Sequence, residues 1–180
     1  DLASNSGPSI ASVHGGDHEH NIDNSSGGNS HIVINDGTIM EIIGGSRHLN
    51  GNSTSIEING GYVSYINGGS RAGKSVIGNG HNDAVQIAVN GGTVDYLFSG
   101  AKDGNSKNLD TAPIYGNVKI LVSEGKIYGL FGGGYDFFTK SSHPGVIGEV
   151  KIIVSGGEIG HNPETFNVCF KEYIGNLPST

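Results

Sequence analysis

The chain is poor in the residues that small domains use as staples and anchors. Among 180 residues there is one cysteine, Cys169, so no internal disulfide can form. Tryptophan is absent, and arginine occurs only at Arg47 and Arg71. Ten basic residues against seventeen acidic ones give a formal net charge of −7, which excludes the basic surface that nucleic acid or an anionic membrane selects. No apolar run approaches the roughly 18 residues of a membrane-spanning helix, so no membrane insertion is expected of this stretch. Proline is also scarce. With five prolines, the 32 glycines lack the composition and three-residue period of collagen.

What the chain does have is glycine placed as punctuation. Compact Val/Ile runs alternate with Gly pairs, a pattern that separates it from a disordered linker. The repeated motif reads apolar-x-apolar-x-apolar, then Asn or Ser, a residue and Gly, then two further apolar positions three apart. Copies begin near Ile32, Ile56, Ile87, Ile120 and Ile152, after a half copy over 7–16 (GPSIASVHGG). Aligned on the glycine, four columns emerge. The first holds Ile32, Ile56, Ile87, Ile120 and Ile152; the second holds Ile34, Ile58, Val89, Val122 and Val154. After the turn come Ile10, Ile39, Val63, Val94, Ile127 and Ile159, then Val13, Ile42, Ile66, Leu97 and Leu130. β-Branched residues at period two are the mark of half-buried strands, and no 3.6-residue period competes with it.

The turn itself carries Asn35, Asn59, Asn90, Ser123 and Ser155, each followed two residues later by Gly37, Gly61, Gly92, Gly125 or Gly157. Asn and Gly both accept the left-handed backbone of a sharp corner. Independent hairpins turning at Asn-Gly-Gly would use the same residues, but only turn-on-turn stacking makes like residues neighbours. The expected fold is therefore all-β, a parallel solenoid of about five to six degenerate coils over 1–165. The Asn/Ser column is expected to form a hydrogen-bonded ladder that satisfies buried amides.

The motifs VNGGTVDYLFSG, VSEGKIYGLFGGG and VSGGEIG, with the Asn/Ser corner, resemble the right-handed parallel β-helices of pectin-lyase-like proteins and of autotransporter-type bacterial surface adhesins. The resemblance covers about residues 6–161. It implies an architecture, a right-handed parallel β-helix, more than an activity.

Unit length drifts along the chain, and the excess falls after the second Gly pair, in SRHLNGNSTS, SRAGKSVIGNGHNDA, AKDGNSKNLDTAPIYGN and YDFFTKSSHPGVIGE. These insertions are expected to leave as long loops from one edge and to form the working surface. The tail over 166–180, including FNVCFKEYI, reads as a cap on the open end. The outward column Val33, Glu57, Ala88, Leu121 and Ile153 turns apolar toward the C-terminus. That change calls for cover by loops or tail, or for self-association. The chain opens within a repeat, as an excised segment would.

Three groups of residues are chemical candidates. His14, Asp17, His18 and His20, with Glu19 between them, offer a donor set for a divalent metal such as Zn²⁺ or Ni²⁺. Asn79, Asn82 and Asp83, and Asp103, Asn105 and Asp110, offer oxygen ligands for Ca²⁺ without a recognised spacing. Tyr115, Tyr135, Asp136, Phe137, Phe138 and His143 form an aromatic-rich group suited to ligand binding, since flat rings stack on sugars or anchor protein partners. No catalytic residues are identified: paired acids and nucleophile–base arrangements are not legible. The expected function is that of a non-catalytic surface adhesin fragment, outside the cell. Its loops would meet a glycan or protein of a host or neighbouring cell. A carbohydrate-binding or polysaccharide-degrading β-helix and a structural, self-associating stalk are the alternatives.

Overall fold

The computed structural model describes residues 8–16, 28–46, 51–70, 76–78, 83–101, 114–134 and 146–160. These form eleven strands and, among the described residues, no helix. In chain order they are β1 (Ser9–His14), β2 (Asn29–Ile34), β3 (Thr38–Ile43), β4 (Ser53–Ile58), β5 (Tyr62–Asn67) and β6 (Val85–Phe98). There follow β7 (Ile114–Tyr115), β8 (Val118–Phe131), β9 (Val146–Ile147), β10 (Val150–Val154) and β11 (Glu158–Ile159).

Every pairing between these strands is parallel. Hairpins would pair antiparallel, so the Asn-Gly corners join strands of different faces and the chain winds as a β-solenoid. A first ladder runs β2, β4, the first half of β6, the first half of β8, and β10. A second runs β1, β3, β5, the later halves of β6 and β8, and β11.

The four sequence columns are register columns of these ladders. Ile32, Ile56, Ile87, Ile120 and Ile152 are successive Cα partners, as are Ile34, Ile58, Val89, Val122 and Val154. The same holds for Ile10 through Ile159 and for Val13 through Leu130. In the interior turns these side chains are buried, Leu130 only partly, and form one continuous core.

Two further inward columns lie beside them. Ser30, Thr54, Val85, Val118 and Val150 occupy one position of the first ladder. Its polar members are satisfied inside the wall: Thr54 Oγ1 donates to the Gly68 carbonyl at 2.6 Å, and Ser30 Oγ donates to the Gly44 carbonyl. The other column is a third ladder of very short elements, Gly51, Ile77, β7 and β9. Ile77 and Ile114 are fully buried there. The insertions are thus not wholly loop, because each contributes a rung to this third wall.

The count of full turns falls slightly below the five to six expected. The end units are partial among the described residues: β1 lies only in the second ladder, and β10 and β11 have no described partner beyond them. The tail over 166–180 lies outside the described residues.

The corner column behaves as a ladder, with one correction. The Asn59 amide donates to Asn35 Oδ1 at 2.9 Å, Asn90 to Asn59 Oδ1 at 3.0 Å, and the Ser123 hydroxyl to Asn90 Oδ1 at 3.0 Å. Ser155 Oγ instead donates to the Val122 carbonyl. These side chains are exposed rather than buried. The reason lies two residues on, where Gly37, Gly61, Gly92, Gly125 and Gly157 all have positive φ. That left-handed step turns the backbone inward past the corner and leaves the Asn side chain on the outer rim.

Candidate functional site

The second ladder does not keep period two. Val94 and Leu97 are both buried although three residues apart, so the wall bends between them and carries two consecutive outward positions. One outward column therefore reads Met40, Ser64, Asp95 and Tyr128, and the next reads Glu41, Tyr65, Tyr96 and Gly129. One position before the inward column that begins at Ile10 stands Thr38, Tyr62, Thr93, Lys126 and Glu158. Four of the chain's seven tyrosines, Tyr62, Tyr65, Tyr96 and Tyr128, share this one face. No other described surface concentrates aromatic and ionisable groups in this way.

Aromatic rings stack from turn to turn along the axis and, for Tyr96 and Phe98, along one strand. Tyr65 and Tyr96 lie 5.4 Å apart at 21°, Tyr96 and Phe98 6.5 Å apart at 18°, and Phe98 and Phe131 4.7 Å apart at 9°. Phe98 is buried, while Tyr65 and Phe131 reach solvent. The row depends on an absence at Gly129: a Cβ there would stand 2.8 Å from the Tyr96 ring and 2.9 Å from the Phe131 ring. Ring faces in such a row are turned toward neighbouring rings, and edges point outward.

Polar groups beside the rings are tied down. The Tyr62 hydroxyl donates to Asp95 Oδ2, which also accepts from Ser64 Oγ at 3.3 Å. Burial, and then the hydrogen bond to the Asp95 carboxylate, push the Tyr62 phenol up to about 12. Lys126 pairs with Glu158 at 3.2 Å and lies 5.1 Å from the centre of the Tyr128 ring. The Glu158 carboxylate raises the Lys126 ammonium above its ordinary value. The face thus presents fixed phenols, a carboxylate and an ion pair, a chemistry suited to recognition through hydrogen bonds and ring edges.

Of the aromatic-rich group expected from the sequence, Tyr115 is placed in β7 on the third ladder, exposed beside Ile147 of β9. Tyr135, Asp136, Phe137, Phe138 and His143 lie outside the described residues. His14 ends β1 and is half-buried, whereas Asp17, His18, Glu19 and His20 lie outside. Asp83 is exposed with φ of 65°, and Asn79, Asn82, Asp103, Asn105 and Asp110 lie outside. Among the described residues, no group of three or more His, Cys, Asp or Glu side chains could hold a metal ion. A cavity of about 130 Å³ near the N-terminal turns is lined mostly by glycines and small hydroxyl residues, including Gly15, Gly45, Ser30 and Ser53, with Asn29 and Ile77 and without a titratable group.

The tyrosine face escaped the sequence reading because its members occur in only part of each column. A usable signal existed in the pair of consecutive residues separating Val63 from Ile66 and Val94 from Leu97, which forces both to face outward. No family model, curated protein or solved structure matches the chain.

Proposed function

We propose that this chain is a non-catalytic, adhesin-type scaffold, displayed outside a bacterial cell, that meets a glycan or protein of a host or neighbouring cell. The observation that carries the reading is the tyrosine face. In-register stacking fixes Tyr62, Tyr65, Tyr96 and Tyr128 on one rigid wall, and tyrosines held rigidly supply contact area at low entropic cost. The third ladder supports the same reading. It closes the solenoid while leaving the long sequence insertions between second-ladder and third-ladder strands, where added length does not disturb the register.

One observation favours a structural stalk instead. The rings stack on one another along the axis, so most of their flat surface is already used in cohesion. The two readings separate in one binding experiment. The purified chain is applied to a glycan array and to cultured host cells, beside a Tyr65→Ala/Tyr96→Ala/Tyr128→Ala variant and a Tyr135→Ala/Phe137→Ala/Phe138→Ala variant. Far-UV circular dichroism controls for folding. Saturable binding that either triple variant loses while staying folded supports the adhesin reading and says which surface acts. Absence of binding by the unmodified chain moves the assignment to the stalk.

A further inference from the structure

Tyr65 and Tyr96 are Cα partners on adjacent turns, in β5 and β6. Their rings stack at 5.4 Å and 21°, with Tyr65 exposed and Tyr96 half-buried. Because the strands are parallel and in register, both side chains leave the wall in the same direction. The two phenol rings are therefore held next to each other, stacked on the same side of the wall. Among the described tyrosines this pairing is singular. Tyr62 has Thr38 and Thr93 as its register neighbours, and its hydroxyl is held by Asp95. Tyr115 has Ile147 beside it. Phe98 and Phe131 stack more closely but carry no phenol.

We propose that Tyr65 and Tyr96 are a site of oxidative coupling, joined by a carbon–carbon bond into a dityrosine staple between successive turns. The oxidant is hydrogen peroxide acting through a haem peroxidase. Each phenol gives up one electron and one proton, leaving two phenoxyl radicals. The radicals join through their ortho carbons, and the hydrogens on those carbons move to the two oxygens to restore both phenols. Two electrons and two protons leave in all, and one peroxide takes them up to become two waters. No bond of the chain breaks. Such a staple ties β5 to β6 in a protein whose single cysteine allows no internal disulfide. Gly129 bears on the reaction as well, since a side chain there would press on the Tyr96 ring.

The test treats the dilute full chain with peroxidase and hydrogen peroxide and follows intact mass, dityrosine fluorescence and tryptic peptides. The expected product is a monomer lighter by two hydrogens, in which peptide 48–71 is joined to peptide 75–102 through Tyr65 and Tyr96. The joined product should melt at a higher temperature than the untreated chain. Tyr65→Phe and Tyr96→Phe, which keep the stack, should each abolish the joined peptides, whereas Tyr128→Phe should leave them. The same treatment in urea should scatter the links among many tyrosine pairs. The proposal is overturned by no reaction, by links between chains only, or by an intramolecular product that persists in the Tyr65→Phe/Tyr96→Phe double variant.

Discussion

The turn containing β8 and the turn containing β10 and β11 have nearly the same inward residues and opposite surroundings. Ile120 is 0% exposed and its register partner Ile152 is 42% exposed; Ile127 is 0% and Ile159 46%. Chemistry and column are identical within each pair. What differs is that β8 has a turn on both sides, while no described strand stacks beyond β10. Burial in this fold is conferred by the neighbouring turn, so stability is built from nearest-neighbour contacts along one dimension. A residue's place in the pattern tells which way it faces, and its place in the stack tells what that is worth.

Truncating the same column in both turns should give the largest difference. Ile120→Ala should cost about 2–5 kcal/mol of unfolding free energy, as expected for a buried isoleucine without room to collapse. Ile152→Ala, in the same column, should cost under about 1 kcal/mol, within the range of exposed positions. Urea titration followed by circular dichroism measures both, and equal losses would defeat the nearest-neighbour account.

A smaller effect is expected from the corner. Replacing Asn35, Asn59 and Asn90 together by alanine removes the three consecutive hydrogen bonds of the ladder, and with them a long 3.4 Å contact from the Asn90 amide to Glu57. At roughly 0.5–1 kcal/mol each for exposed neutral bonds, the sum is about 1.5–3 kcal/mol. Ser155→Ala, which touches a backbone carbonyl at the last turn, should be nearly silent. A triple variant that failed to fold would show that the ladder specifies the turn rather than trims its stability.

The subtlest difference lies in alkaline solution. The folded-state pKa of Tyr62 is raised from 10.0 to about 12, so its contribution is fully present below pH 10 and disappears as pH climbs through about 12. Wild type should therefore lose more stability across that window than Tyr62→Phe, which lacks the proton held against Asp95. Thermal melts at stepped pH provide the measurement, and superimposed alkaline limbs would show that the Tyr62–Asp95 contact contributes nothing.

Legibility in the sequence followed the same division between pattern and neighbour. Columns headed by Ile10, Ile32, Ile34 and Val13 could be read because each turn repeats an apolar residue at a fixed distance from a glycine. The column Ser30, Thr54, Val85, Val118 and Val150 was hidden because its early members are hydroxyl residues satisfied by carbonyls across the wall. The third ladder was hidden because its rungs are one or two residues long and sit inside insertions of unequal length. Val76-Ile77-Gly78 and Val146-Ile147-Gly148 read alike, but the register sets Ile77, through Ile114, beside Val146, so aligning the two triplets misplaces the rung by one residue. The tyrosine face needed the bend between Val94 and Leu97, a local departure from period two that only stacking makes consistent.

The corner ladder holds one further consequence. Its successive hydrogen bonds span 24, then 31, then 33 residues, yet each closes at 2.9–3.0 Å. Distance along the chain and distance along the rod are therefore uncoupled. The molecule keeps its place by counting corners, much as a reader keeps place by line breaks rather than by letters. The insertions spelled out between two corners can lengthen or change while the next line still begins at the margin.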